Sequence, residues 1–75
     1  MVKLGTRVVA DPTICFGKPV IEGTRVPVEV VLGQLAGGMS VEAVCQEYAL
    51  TREDVLAALA YAAQTVAAEE NRPVD

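Results

Sequence analysis

The sequence predicts a mainly α chain: a three-helix, helix-turn-helix (homeodomain-like) bundle preceded by a short N-terminal β-strand and hairpin element. Three observations carry that expectation. After Pro27 the apolar residues take up helical spacing, with Val28, Val31, Leu32 and Leu35 on one stripe. Two good N-caps follow, Ser40 and Thr51, and each opens another amphipathic run. Ahead of Pro27, β-branched residues instead gather in short runs bounded by Asp-Pro, Gly and Pro.

The elements follow in order. Arg7-Val8-Val9-Ala10 is expected as a strand, stopped at Asp11-Pro12 because proline donates no ladder hydrogen bond. Pro19-Val20-Ile21 and Thr24-Arg25-Val26 flank Glu22-Gly23 and read as a hairpin, with Gly23 supplying a positive φ. Pro27 suits the first turn of a helix, and Gly37-Gly38 ends that helix. Ser40 caps a second, short helix with the stripe Val41, Val44, Cys45 and Tyr48. Thr51 caps a third, from about Arg52 to Glu69, with Asp54 at the capping-box position. Its inward stripe is expected to be Val55, Leu56, Leu59, Ala63 and Val66, extending to Ala67, with further alanines off that stripe. Residues 1–75 form one expected domain, divided into a β element and turn (1–27), a helical bundle (28–69) and a frayed tail (70–75).

Composition narrows the function. A 75-residue chain with 52% apolar but only 4% aromatic residues fills its core with small Val and Ala, so the core is thin and a second subunit is the expected complement. The chain has no His and its two cysteines, Cys15 and Cys45, are isolated, which leaves no zinc arrangement; no metal or other cofactor is expected. No stretch reads as a secretion signal or a membrane span, so a cytoplasmic chain with free thiols is expected. The net charge of −4 is uneven: residues 1–27 sum to +2 and residues 28–75 to −6. Any anionic partner would therefore meet the N-terminal third.

Gly17-Lys18 has the end of a phosphate-binding loop in it, but Pro19 replaces the Ser or Thr such a loop needs and turns the chain extended. That stretch reads as backbone steering. Catalysis has one candidate nucleophile, Cys15 near Lys18, with no base beside it, so neither an enzyme nor a small-molecule substrate is expected. For DNA the candidate contacts are Arg7, Lys18, Arg25, Thr51 and Arg52, although Glu53 and Asp54 beside Arg52 would repel phosphate. For a dimer or protein partner the candidates are Val30, Ala58, Tyr61, Ala62 and Thr65. A partner-binding scaffold without any nucleic-acid role is an equally physical reading of these features.

The run from Arg7 to Ala63 resembles the small bacterial domain-of-unknown-function 433 family, several of whose members are regarded as VapB-type antitoxins. The residues that carry the resemblance are Gly17-Lys18-Pro19-Val20-Ile21, Gly23-Thr24-Arg25-Val26-Pro27-Val28, Gly38-Met39-Ser40 and Leu50-Thr51. Ala49 and Phe16 depart from the family's usual proline and small residue. The resemblance implies a homodimeric homeodomain-like bundle encoded beside a PIN-like ribonuclease toxin. It further implies that the chain binds and silences that toxin, with repression of its own operon as an added role.

Overall fold

A computed structural model describes residues 1–69 and contains three strands and three helices. The expected frayed tail lies outside the described residues. Strands β1 (Val2–Gly5), β2 (Val8–Ala10) and β3 (Val20–Ile21) form an antiparallel sheet in the order β1-β2-β3. Helices α1 (Val28–Ala36), α2 (Val41–Tyr48) and α3 (Arg52–Ala68) follow. The chain is thus mainly α with an N-terminal β element, as expected.

Strand β1 was not expected. It pairs Val2 with Ala10 and Lys3 with Val9, and the chain reverses at Arg7, whose φ is 62°. Thr24–Val26, expected as the second arm of a hairpin, is not a strand, although beyond the Glu22-Gly23 turn the chain does return antiparallel in a single bridge between Val20 and Pro27. The backbone returns there through Thr24 N–H to Ile21 O (3.0 Å) and Ile21 N–H to Val26 O (3.0 Å), while β3 finds its ladder partner in β2. The Thr24 hydroxyl holds this turn by donating to Ile21 O at 2.8 Å and accepting from Val26 N–H at 3.0 Å. Gly23 sits at its tip with the positive φ, 82°, that the sequence demanded.

The helix starts rest on side-chain caps. Ser40 Oγ accepts from Ala43 N–H at 3.1 Å. Thr51 and Asp54 form a reciprocal capping box, with Asp54 N–H to Thr51 Oγ1 and Thr51 N–H to Asp54 Oδ2 both at 3.1 Å. Ala49 closes α2 in the left-handed conformation, which lets three residues turn the chain into α3.

Val8 and Ile21, cross-strand neighbours, face the helices and join Val28, Val31, Val44, Leu50, Val55 and Ala58 in one core cluster. Among the described residues the largest side chains fully enclosed are one isoleucine and five valines, so the core is as thin as the composition implied. The stripe expected on α3 is corrected by this packing. Val55 points inward, but Leu56, Leu59, Ala63, Val66 and Ala67 are exposed; Ala57 is buried, and Ala58 and Tyr61 join Val55 against the core cluster. Val55, Ala58 and Tyr61 follow one another at helical spacing on the side of α3 that meets the core. The leucines are consequently turned outward.

Candidate partner-binding surface

Most of the cations expected at an anion site are held by carboxylates. Arg7 reaches from the β1–β2 turn to the start of α3, where its guanidinium donates to Asp54 Oδ1 at 3.1 Å. Asp54 is largely enclosed, and that burial opposes its charge. The Thr51 N–H, the Arg7 guanidinium and the Thr51 hydroxyl outweigh it and hold the carboxyl below its usual range. Lys18 lies 3.3 Å from Glu29, and Arg52 lies 3.9 Å from Glu42. Among the described residues, Arg25 has no such carboxylate neighbour.

Arg7, Lys18, Arg25, Thr51 and Arg52 therefore form no continuous basic surface. Thr51 and Asp54 are committed to the helix cap, and exposed Glu42 and Glu53 lie beside Arg52. A phosphate backbone approaching the start of α3 would meet more negative than positive charge.

The loop before β3 has unusual backbone. Cys15, Phe16 and Gly17 all have positive φ, at 49°, 58° and 84°, and the Phe16 ring is 97% exposed. Two side chains are held in the left-handed region, at about 1–2 kcal/mol each. Surrounding hydrogen bonds support them: Gly17 N–H to Ile14 O (3.0 Å), Lys18 N–H to Cys15 O (3.1 Å) and the Cys15 thiol to Arg25 O (3.5 Å). Asp11 begins the loop by accepting from the Thr13 N–H at 2.9 Å and hydroxyl at 2.7 Å, which lowers its pKa. Both cysteines are free thiols.

The expected partner residues separate into three places. Ala58 is fully buried in the core and offers no surface. Val30 is half-buried on α1 and stands apart from the rest. Tyr61, Ala62 and Thr65 are brought together on one wall of an open apolar groove of about 270 Å³, completed by Pro19, Val28, Glu29, Leu32 and Val66. The Tyr61 ring also covers the end of β1, where a Cβ on Gly5 would stand 3.8 Å from Tyr61 Cδ1. Thr65 turns its hydroxyl back to Tyr61 O at 2.8 Å, which removes that polar group from competition for water in the groove.

A second surface escaped the sequence reading: the outer face of α3. Leu56, Leu59 and Val66 are 44%, 40% and 69% exposed. The signal was present in the sequence, since the fourteen residues from Val55 to Ala68 include no charged side chain. A helix exposed to water along that length would normally carry charges on its outer face.

Among the described residues no three His, Cys, Asp or Glu side chains gather as a metal site, and no helix is long and apolar enough to cross a membrane. A family model described as "Protein of unknown function (DUF433)" matches residues 8–62. No curated protein matches the chain. The crystal structure of Rv2018 from Mycobacterium tuberculosis is similar, with 40% identity and a TM-score of 0.64, over 69% of this chain and 24% of that one. The chain thus spans about a quarter of the length of Rv2018.

Proposed function

The chain belongs to the DUF433 family of proteins of unknown function, and from that premise we propose that it is the antitoxin-like half of a bacterial type II toxin-antitoxin pair. It acts as a dimer in the cytoplasm, where it binds and silences a PIN-like ribonuclease. The observation that carries this reading is the α1–α3 groove, an open apolar trough with Tyr61, Ala62 and Thr65 on one wall and Glu29 at its edge. Its chemistry suits a protein partner, because apolar walls supply the affinity and the neighbouring charge sets the orientation. A ribonuclease needs cationic surface to hold RNA. The helical layer of this chain, with its excess of carboxylates, complements such a surface.

Coexpression with the product of the adjoining gene tests the reading. A PIN-like nuclease next door should arrest growth when expressed alone, and the wild-type chain should relieve the arrest and copurify with it. Ala62→Glu, which places a carboxylate in the groove, should weaken that complex at least about 10-fold. An unrelated neighbour, or a nuclease that neither copurifies with the chain nor loses activity to it, would contradict the proposal.

A second reading, a partner-binding scaffold with no DNA contact, is favoured by the ion pairs that occupy Arg7 and Lys18 and by the carboxylates beside Arg52. Here Lys18→Ala with Arg25→Ala leaves partner binding intact, and the wild-type chain produces no mobility shift on its own promoter at low salt. A shift that weakens steeply with salt would instead add operator repression to the antitoxin role.

A further inference from the structure

The outer face of α3 adjoins the groove assigned to the toxin, sharing only Val66 with it, and its pattern specifies an occupant. The helix has 17 residues, about 25 Å of length, and its exposed side presents Leu56, Leu59, Ala60, Ala63, Val66 and Ala67. Charge is confined to the two ends. Arg52 and Glu53 stand in the first turn, and Glu69 caps the last.

We infer that this face pairs with the same face of a second copy, with the two α3 helices antiparallel about a two-fold axis near the level of Tyr61. The inference rests on the dimeric reading above and names its surface. In the antiparallel register Leu59 lies opposite the partner's Ala63 and Leu56 opposite the partner's Val66, so bulky residues meet smaller ones and each contact occurs twice. Alanines at 60, 63 and 67 let the helix axes approach closely. The ends decide the direction. Antiparallel packing sets Arg52 of each copy beside the partner's Glu69 and opposes the two helix dipoles favourably; parallel packing would set Arg52 against Arg52 and Glu69 against Glu69. Arg52 is available for this exchange, because its contact with Glu42 is long, at 3.9 Å, and both side chains are well exposed.

Sedimentation equilibrium of the full chain between about 1 and 100 μM tests the inference. The wild type should form dimers, and Leu59→Glu, which sets a buried carboxylate into the interface twice, should raise the dimer dissociation constant at least about 100-fold. Arg52→Glu should weaken the dimer by about 3- to 10-fold, and Arg52→Glu with Glu69→Arg should restore it. These end substitutions suit the dipole of the single helix, so their effect on pairing is separable from folding. A wild type that stays monomeric overturns the dimeric reading together with its surface. A dimer indifferent to Leu59→Glu overturns the surface alone, and failure of the double charge swap to restore pairing overturns the antiparallel register.

Discussion

Replacing Ile21 by alanine is expected to destabilise the fold by about 2–4 kcal/mol. Ile21 is fully buried and is the largest fully enclosed side chain in a core otherwise filled mainly by valine and alanine. It stands where β3 meets the helices, and its neighbours Val8, Val31, Val44 and Val55 are β-branched, with few rotamers through which to fill the space its loss would leave. A domain of this size has on the order of 4–10 kcal/mol to lose. Urea unfolding should show the midpoint fall steeply with little change in slope. Phe16→Ala is the control: with the ring 97% exposed, the same measurement should move by less than about 0.5 kcal/mol. Equal effects from the two substitutions would contradict the core described above.

Asp54 is the second position of large effect, because one carboxylate serves two structures. It closes the capping box with Thr51 and anchors Arg7 of the β1–β2 turn, so it fastens the sheet to the start of α3. Asp54→Ala should cost about 1–2 kcal/mol, with the Thr51 N–H and the Arg7 guanidinium left without this partner. The pH dependence has a definite sign. Folding lowers the Asp54 pKa, so at acid pH the unfolded chain binds more protons than the folded one, and stability rises with pH. The contribution of Asp54 is complete above its unfolded value of about 3.9 and disappears as pH falls through the lower folded value. Asp54→Asn should therefore flatten the stability profile below about pH 4 while leaving the slope due to Asp11, whose carboxyl is also lowered. An unchanged acid slope in Asp54→Asn would remove Asp54 from this role.

What could be read from the sequence was local chemistry. The caps at Ser40 and Thr51, the stop at Gly37-Gly38 and the positive φ of Gly23 each depend on residues within a few positions of one another, and the structure has them as expected. The Arg7–Asp54 pair was out of reach for the opposite reason, since its partners are 47 residues apart. Strand β1 was missed because Val2–Gly5 offers only two β-prone side chains and depends on β2 for its ladder.

The orientation of α3 was misjudged on different grounds. Leucine outranks alanine as a core residue, yet the side of α3 that meets the core is the one carrying Val55, Ala58 and Tyr61, so Ala57 and Ala58 are buried while Leu56 and Leu59 fall on the exposed side. Of the partner-surface residues read from the sequence, Tyr61, Ala62 and Thr65 reached a common groove. Ala58 went to the core because it shares the buried side of α3 with Val55. Periodicity gives the stripes of a helix; packing decides which one is covered within a single chain and which is left for another.

The proposed dimer makes this a fold that a second copy completes. The most direct test is the thermal midpoint of the wild-type chain at about 1 and 100 μM. Coupled folding and pairing should raise the midpoint by about 5–10 °C over that hundredfold range. A midpoint independent of concentration would mean that one subunit is sufficient in itself, with the leucines of α3 left in water.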